Sequence, residues 1–486
     1  MHSSEIVHET RKKFEALLSS VMEEPEEKTA HAVESNLLKG ILALGRQLLM
    51  LFFTLRNEKA SREKVETVQG QKLPYYQDRC RIYYSVFGKV QVWRPYFYKV
   101  GVGSIVPLDA QLGLGTGSYS DLWRQMHERL SVYVSYEKAG ELLGQLLGHN
   151  LSNRPIQKSV IEDSSDVKAF YEQLTPAEAE PEATILVAQG DGKGVPMRQL
   201  TDSAKKARLG KGEKRSRKKE AVVTTAYTIE PNVRTGKMVA DSLVDNKQVE
   251  NEGHKPPRPC HKRVWATLEG KQEAIARLKQ QTDKLDNPHI IHRVCLCDGD
   301  QSLQTQLTTQ LPDFTLVLDI IHLLEYLWKV ANALWPHDPQ RQPWVKQQLL
   351  HLLNGEPETV LTHLDSLSDT FTCGSPQHNA LSKTAGYITR NRPYIDYHLY
   401  LQRGWPIASG AIEGACRHLV KDRMELSGMR WCLASAESML ALRAVSENGD
   451  WDAYHTFHQY HRQQRLYQHY PASLQHSAFH SLPFAG

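Results

Sequence analysis

The hydrophobic positions of this chain change their spacing several times, and each change predicts a different element. Apolar residues at helical spacing fill most of residues 1–70, and residues 37–55 form the most apolar run. Lys39, Arg46 and Gln47 interrupt that run, whereas a membrane-spanning helix needs about twenty apolar residues without such breaks. We therefore expect this helix to be buried, in a core or in a subunit interface, with the core favoured and no membrane contact.

Residues 81–98 show the alternation and the aromatic content of a β-hairpin that turns near Gly88 and Lys89. Basic side chains are interleaved with the rings at Arg81, Lys89, Arg94 and Lys99. Such a surface could bind a nucleic acid backbone. A half-buried hairpin with no ligand fits the pattern equally well.

Residues 118–170 return to helical spacing. Ser135 can cap a helix whose leucines form one apolar stripe, and Ser152 with Pro155 can start a second helix after a break at Gly148. Two short helices around a glycine-containing turn fit a helix-turn-helix, and they also fit any αα-hairpin. An acidic, proline-broken segment follows at residues 175–183 and predicts a domain boundary.

Two acidic residues end apolar runs, and a third lies on a helix. One apolar run ends at Asp191 and is followed by two glycines and a proline. This pattern predicts a buried strand that ends at Asp191, with the Asp191 side chain facing a site. A second run, residues 292–297, ends in the same way at Asp298. Glu413 lies early in a predicted helix. Two strand-end aspartates and a helix-borne glutamate can converge on a pair of hard cations.

The second acid has three candidates near strand ends, Asp298, Asp300 and Asp319. Asp298 is favoured because it directly ends its apolar run and precedes a glycine. Asp300 could instead cap the helix that starts near Ser302. Asp319, with His322 three residues later, is expected to shape the site or to orient a ligand.

The elements around these acids follow one another in a recognisable order. Residues 221–229 and 314–322 are predicted to be strands, and residues 265–286 an amphipathic helix. Strand, strand, helix, strand, strand, helix is the order of a ribonuclease H-like α/β core. The mostly helical residues 336–400 separate the last strand from the glutamate helix and are predicted to be an insertion.

Basic residues cluster on either side of these acids. Residues 205–219 carry nine basic side chains and one acid; such a run is usually only a solvated loop, but its position after Asp191 favours phosphate binding. Arg417, four residues after Glu413, could pair with that carboxylate or with a phosphate, and Trp431 could stack on a base. For each of these cations a surface salt bridge is an equally compatible role. The DNA-binding candidates are Lys214, Arg215, Arg217, Lys218, Lys219, Lys421, Arg423 and Arg430.

Composition and residue spacing restrict the number of domains, the partner and the metal sites that can be expected. A length of 486 residues predicts two to four domains, and the net charge of +4 is too small to argue by itself for a polyanionic partner. The seven cysteines form no Cys-x-x-Cys pair, which indicates reduced thiols in a cytoplasm, and no signal peptide is expected. His455, His458 and His461 fall at helical spacing in the tail and are expected to form an exposed face rather than a metal site.

Four motifs together resemble the signatures of bacterial insertion-sequence DDE transposases of the Kra-type group, which is related to mutator-like transposases. They are Asp191-Gly-Lys-Gly-Val-Pro-Met, Cys297-Asp298-Gly, Asp319-Ile-Ile-His322 and Gly404-Trp-Pro-Ile-Ala-Ser-Gly-Ala-Ile-Glu413-Gly. The resemblance spans residues 70–445. It implies Mg²⁺-dependent DNA cleavage and strand transfer, with Asp191, Asp298 and Glu413 as the catalytic metal ligands.

The resemblance also implies partners and cofactors. Two Mg²⁺ ions are expected, for which Mn²⁺ would substitute, and double-stranded DNA (element ends and target) is the expected partner of a homo-oligomer in the bacterial cytoplasm, at the nucleoid. Asp319, His322 and Arg417 are expected to be accessory residues of the site. Some such transposases carry a cysteine-rich zinc knuckle after the N-terminal hairpin; residues 98–103 lack it, so no zinc is expected.

The expected architecture is therefore multidomain α/β, with a ribonuclease H-like catalytic core interrupted by a helical insertion and an α+β N-terminal DNA-binding region. The expected segments are 1–70 (helical), 71–174 (hairpin plus helix-turn-helix-like DNA-binding region), 183–335 (first part of the core), 336–400 (insertion), 401–450 (glutamate helix of the core) and 451–486 (polar tail). Two other functions stay open: a ribonuclease H-like nuclease that does not join ends, and a catalytically inactive DNA-binding regulator.

Overall fold

The computed structural model describes residues 2–23, 25–148, 154–175, 181–198, 218–245, 256–337 and 339–474. The chain divides into two compact units, Met1–Gln173 with Asp450–Gly486, and Leu174–Gly449. The C-terminal segment thus belongs to the same unit as the N-terminal residues. The protein is a mixed α/β, multidomain molecule.

The strands and helices have the following bounds. The strands are β1 (Val65–Glu66), β2 (Lys72–Leu73), β3 (Tyr75–Ser85), β4 (Gly88–Lys99), β5 (Gly103–Ile105), β6 (Ile185–Pro196), β7 (Lys218–Ile229), β8 (Cys260–Thr267), β9 (His292–Cys297) and β10 (Thr315–Leu318). The helices are α1 (Ser3–Met22), α2 (Ala30–Glu58), α3 (Pro107–Gln111), α4 (Asp121–Ser131), α5 (Tyr136–Leu147), α6 (Arg154–Asp163), α7 (Val167–Gln173), α8 (Gly236–Asp245), α9 (Lys271–Leu285), α10 (Gln301–Gln310), α11 (Ile320–Leu334), α12 (Arg341–Leu353), α13 (Pro357–Ser368), α14 (Pro376–Arg390), α15 (Tyr397–Gln402), α16 (Gly410–Ala415), α17 (Asp422–Met424), α18 (Leu433–Glu447) and α19 (Trp451–Tyr467).

The apolar run of residues 37–55 lies within α2, and the expectation that a core buries it is wrong. Only 6% of its most apolar 18-residue window is buried. Phe53 packs against Val90 and Val92 of β4, whereas five apolar side chains of the run are exposed and the others are only partly buried. By length and composition α2 could cross a membrane, although core helices and signal sequences meet the same test. The alternative that the sequence left open, an interface, therefore gains importance.

The predicted hairpin is present as β3 and β4, and its turn lies at Val86 and Phe87, slightly earlier than expected. β5 adds a third antiparallel strand at the end of β4. Two of the four interleaved cations do not face solvent freely, because Arg81 and Arg94 approach the Asp109 carboxylate at 3.7 Å and 2.6 Å. The hairpin is thus less cationic than its sequence suggests.

Helices α5 and α6 occupy the region predicted to form a helix-turn-helix. Ser135 caps α5 as expected, because its hydroxyl accepts the Lys138 backbone N–H at 3.2 Å. Residues 149–153, which would form the turn, lie outside the described residues. The choice between a helix-turn-helix and another helical hairpin therefore stays a prediction.

The tail histidines do not form an exposed face, so that expectation is wrong. His455 and His458 of α19 are only 3% and 2% exposed. Aromatic side chains on the same helix, Tyr454 and Phe457, pack around Phe170 of α7, with ring centroids 5.6 Å and 5.5 Å away, and this packing draws the histidines inside. A composition rich in His, Gln and Tyr did not reveal that the aromatic residues would be buried.

The second unit is built on a five-stranded sheet with the order β10-β9-β6-β7-β8. β7 is antiparallel to both of its neighbours, whereas β9 and β10 run parallel to β6. β6 does not end at Asp191 as expected: it continues to Pro196 because β7 pairs with it along its whole length. Residues 265–267, expected in a helix, instead complete β8, and residues 320–322, expected in a strand, begin α11.

Helices cover both faces of this sheet. Ile185 and Val187 of β6 face a cluster that includes residues of α8, α11, α12 and α14, whereas Leu186 and Ala188 face residues of α9 and α10. This alternation is the pattern expected for a strand buried on both sides. The helices of residues 336–400 share one hydrophobic core with the sheet.

Candidate functional site

The register of β6 and β9 places Asp191 and Asp298 side by side. The two strands are parallel, and Gln189 is level with Leu296. Two residues further on, both chains reach an aspartate, on the sheet face to which Val187 and Leu296 belong. Because neighbouring strands lie about 4.8 Å apart, the two carboxylates share one edge of the sheet.

The two carboxylates also interact electrostatically. Burial raises the pKa of Asp298 and the charge of Asp191 raises it further, although a backbone N–H of Asp300 and the charge of His322 oppose the shift. Asp191 is held by the Gly192 N–H, which donates to its Oδ1 at 2.6 Å. A partly buried carboxylate whose charge is disfavoured by a neighbouring carboxylate is suited to bind a cation together with it.

The other two candidates for the second acid are occupied by local hydrogen bonds. Asp300 caps α10 by accepting the Leu303 N–H at 2.8 Å, and it pairs with Lys271 at 2.8 Å. Asp319 is fully buried; its Oδ1 accepts the Ile321 N–H at 2.9 Å, and its Oδ2 accepts the Ser409 hydroxyl. Of the three, Asp298 has the fewest ties to the protein.

The contacts of Asp319 help to place the helix that carries Glu413. Ser409 directly precedes α16, and the Ile320 N–H donates to the Ile407 carbonyl at 2.9 Å. Gly404 anchors the start of the same loop: its φ is +72°, and a Cβ there would lie 2.5 Å from the Asn232 nitrogen. The loop between residues 404 and 409 is therefore fixed at both ends before α16 begins.

Cys416 connects this helix to Asp191, which the sequence did not indicate. Its thiol donates to Asp191 Oδ2 at 3.2 Å, one turn after Glu413. Burial raises the pKa of Cys416, and the charge of Asp191 raises it further, so the thiol stays protonated and keeps donating. Glu413 itself is exposed, and its charge contributes to the same shift. The structure thus brings α16 beside β6 with its glutamate open to solvent.

Tyr387 of α14 is a second residue that the sequence did not single out. A Cβ on Gly299, the residue after Asp298, would lie 2.3 Å from the Tyr387 ring. The ring stacks on Tyr326 at 4.1 Å, and among the described residues its buried hydroxyl has no hydrogen-bond partner. Burial raises the pKa of this hydroxyl and the charge of Asp298 adds to the shift. The glycine that marks a strand end is therefore also the space that an aromatic side chain needs.

The predicted accessory residues His322 and Arg417 make different contacts. His322 Nε2 is 3.8 Å from Asp319 Oδ2, and its charge acts on Asp298. Arg417 is exposed in the π-helical turn Cys416–Lys421, and its ion pair is with Asp422 at 3.6 Å, rather than with Glu413.

Seven of the eight predicted DNA-binding residues fall into three groups. Lys214, Arg215 and Arg217 lie outside the described residues. Lys218 pairs with Glu425, whereas Lys219, Lys421 and Arg430 are exposed on the surface.

Arg423 and Trp431 do not fit the roles expected of them. Arg423 is fully buried, with its guanidinium over the Trp431 ring and Nη1 2.8 Å from the Met429 sulfur. Trp431 is 4% exposed and donates its Nε1–H to the Met424 carbonyl. Packing against each other removes both side chains from the surface on which a base or phosphate would bind.

In the part of the chain that the structure describes, no group of three or more His, Cys, Asp or Glu side chains is arranged to hold a metal ion. The donor chemistry at the Asp191–Asp298 edge nevertheless suits a hard divalent cation, since both groups are carboxylates and burial disfavours the charge of Asp298.

Comparison with known proteins gives little further information. No family model and no curated protein matches the sequence. One solved structure with some similarity is the Drosophila P element transposase strand transfer complex, at 10% sequence identity, with 74% of this chain and 86% of that chain covered and a TM-score of 0.25. At this TM-score the two folds are not shown to be the same, and no family is assigned to the chain.

Proposed function

We propose that this chain is a DDE-type DNA transposase that binds the ends of its element and catalyses DNA cleavage and strand transfer. The observation that carries the proposal is the level position of Asp191 on β6 and Asp298 directly after the parallel strand β9, with the helix of Glu413 beside β6. The sheet order supports a ribonuclease H-like core, because three antiparallel strands are followed by two strands parallel to the first.

Asp191, Asp298 and Glu413 would hold Mg²⁺ or Mn²⁺. When bound, a pair of such ions stabilises charge on the attacking and leaving oxygens of a phosphodiester. The protein's own contribution is positional: Gly192 and Cys416 fix the Asp191 carboxylate, and Asp319 fixes the loop before the Glu413 helix.

The proposed reaction has two steps and forms no covalent bond to the protein. A water oxygen first bonds to the phosphorus at the element end while the bond to the 3′-oxygen breaks, which leaves a free 3′-hydroxyl. That hydroxyl then bonds to a target phosphorus while the target's own 3′-oxygen leaves. Each step makes one phosphorus–oxygen bond and breaks one, so no oxidant, reductant or other co-reactant is required.

DNA is the proposed partner, and Lys219, Lys421 and Arg430 are exposed and therefore accessible to its phosphates. We propose that the chain acts as a homo-oligomer in the cytoplasm. The exposed apolar side of α2 supports an oligomer, since a large apolar surface needs a partner.

A strand-transfer assay on DNA flanked by the terminal inverted repeats of the element tests the proposal. Asp191→Asn, Asp298→Asn and Glu413→Gln should each abolish cleavage and joining while leaving end binding intact. Asp313→Asn is the matched control. Asp313 is an exposed acid just before β10, at the end of the parallel strands opposite to Asp298, so this variant should retain both activities.

The assay also separates the alternatives. Cleavage without joining would identify a nuclease, and end binding without either reaction would identify a regulator. Normal cleavage by all three acid variants would contradict the assignment of the site.

A further inference from the structure

Three tyrosines and an arginine form an exposed cluster at one end of the β3–β4 hairpin, in the unit that does not contain the acids. Tyr76 and Tyr98 are 59% and 38% exposed, and Tyr96 is half-buried between them. The ring centroids of the three tyrosines lie 5.9–6.4 Å apart, and the Arg79 guanidinium lies 3.5 Å from the centroid of Tyr96. We call these four residues the tyrosine cluster.

The strand register explains how the cluster is built. Tyr96 and Tyr98 are two residues apart on β4, so both side chains project from the same face of the sheet. Between them Phe97 projects from the other face, into a core with Leu73 and Ile105. The pairing of β3 with β4 is irregular between Tyr75 and Gln77, and this bulge frees Tyr76 to join the rings on the outer face.

Charge gives the cluster its second property. Asp78, the acid next to Arg79, pairs with Arg62 at 2.7 Å and accepts the Tyr75 hydroxyl at 3.2 Å. Arg79 forms no ion pair among the described residues, so its positive charge and its remaining donors face outward. A guanidinium stacked on a ring leaves its edge available to a phosphate, which it can contact with two parallel hydrogen bonds.

Exposed rings beside an unpaired guanidinium match the chemistry of a nucleic acid strand with unpaired bases. Bases stack on aromatic rings while the backbone is held by cations. A duplex offers its base faces only at its ends, so it cannot cover three neighbouring rings along a strand. At this end of the sheet the core lies on the opposite face, where Phe97 is buried and Tyr75 packs against it, so the three exposed rings are not part of that core.

We propose that the tyrosine cluster binds single-stranded DNA by base stacking. This inference rests on the proposed function, because cleavage at an element end releases DNA strands that are no longer fully paired. The hairpin would then bind single strands rather than recognise a duplex. The acids of the second unit would not take part in this binding.

The test is fluorescence anisotropy of the full-length chain with a labelled dT20 strand, titrated at several salt concentrations. Changing Tyr96→Leu together with Tyr98→Leu should weaken binding at least about ten-fold, since each stacked base contributes roughly a five-fold or larger factor. Tyr96→Phe with Tyr98→Phe keeps the rings and should bind as the unchanged chain does. Arg79→Gln should weaken binding and reduce its salt dependence.

Trp93→Leu provides a matched control. Trp93 is an exposed aromatic residue (48%) on the same hairpin, but it pairs with Cys80 on the face opposite to Tyr96 and Tyr98. This variant should bind dT20 normally. Thermal unfolding of each variant shows whether the protein is folded. If the Leu pair does not fold, the Phe pair still tests the inference, because it should bind dT20 normally.

Several results would overturn the inference. They are unchanged binding by the folded Leu pair, weakened binding by the Phe pair, equal losses in the Trp93→Leu control, or equal affinity for a duplex or an RNA strand of the same length. Failure of the proposed function looks different: the chain would not cleave or join element ends, whatever its affinity for dT20. Failure of this inference alone would leave cleavage and joining intact while dT20 binding does not depend on the tyrosine rings.

Discussion

At the scale of single residues, the three aspartates near the strand ends differ in what their oxygens do. Asp319 accepts hydrogen bonds from buried donors, Asp300 caps a helix, and Asp298 accepts one half-buried backbone N–H. Removing a buried acceptor leaves its donors unsatisfied, which costs about 1–3 kcal/mol. Removing a carboxylate that accepts a single half-buried N–H costs less. Stability can therefore distinguish a structural acid from one reserved for a ligand.

We expect Asp319→Ala to lower the free energy of unfolding by about 1–3 kcal/mol at pH 7 without divalent cations. Asp298→Ala should change it by less than about 1 kcal/mol, and the change should be in the stabilising direction. The sign follows from the pKa of Asp298: because it is raised in the folded state, the group destabilises the fold as the pH rises above its unfolded pKa, and this effect is complete above its folded pKa. The gain should therefore vanish at pH values below the unfolded pKa.

Denaturant unfolding followed by tryptophan fluorescence measures both effects. Added Mg²⁺ should stabilise the unchanged protein and not the Asp298→Ala variant, because a ligand that binds only the folded state stabilises it by mass action. The opposite ranking, with Asp298→Ala the more destabilised variant, would make Asp319 the better candidate for the second metal ligand.

The strand end before Asp298 and the helix cap at Asp300 could be predicted from the sequence, because both are local features, whereas β6 continues past Asp191 to Pro196. It could not predict that Arg423 and Trp431 pack against each other inside the unit, because that contact depends on how the π-helical turn after α16 folds back. Cys416 and Tyr387 were missed for the same reason: each touches the acidic edge from a helix distant in sequence.

At the scale of elements, periodicity found the hairpin, α2 and the central strands, and it failed where pairing overrides local signals. Gly192 and Gly194 suggest a strand end, yet β7 extends β6 through them. Trp265 fits an amphipathic helix, yet it lies in β8 opposite Thr224. In α19, the tail histidines became buried because the helix docks through its aromatic side.

The docking of α19 should depend on pH through His458. Its Nε2 and Nδ1 lie 2.9 Å from Asp163 Oδ1 and 2.7 Å from Asp166 Oδ2. Burial lowers the pKa of His458, but the hydrogen bonds to both aspartates outweigh it, and the net pKa is raised. The stabilisation is therefore complete below pH 6.5 and is lost as the pH rises through the folded pKa, by at most about 1.4 kcal/mol per pH unit.

Other ionisable groups packed around His458 must be taken into account. Arg124 and Glu128 of α4 approach Asp163, whereas His455 and Arg465 come from α19 itself. Burial raises the pKa of Glu128 and the charge of Asp163 adds to the shift, so Glu128 also makes the folded protein less stable as the pH rises. Burial lowers the pKa of His455 to about 4, so its effect appears only on the acid side.

Unfolding of the full chain between pH 6 and pH 9, with and without His458→Gln, isolates the contribution of His458. The variant should be less stable than the unchanged protein at pH 6 and closer to it at pH 9. A constant difference across this range would mean that the pKa of His458 is not raised in the folded protein.

At the scale of the whole molecule, the least expected feature is the outward side of α2. The exposed apolar residues follow one another at spacings of three, seven, four and three, as in a helix that packs against another helix: Leu38, Ile41, Leu48, Phe52 and Leu55. The sequence alone could not show this exposure, since a run interrupted by three polar residues reads equally well as a core helix. A second copy of the chain offers the same spacing to pack against.

We expect the purified chain to be a dimer or a larger oligomer that assembles through α2. Ile41→Gln together with Leu48→Gln should shift it toward the monomer, because both side chains are about half exposed and lose apolar area only in the assembled state. Light scattering after size-exclusion chromatography measures the mass, and unfolding of the variant should be no easier than that of the dilute unchanged protein. Leu433→Gln, at an equally exposed leucine on α18, is the control and should leave the mass unchanged. A monomer that instead sediments with lipid vesicles, and no longer does so after the double change in α2, would replace the second copy with a membrane as the partner of this helix.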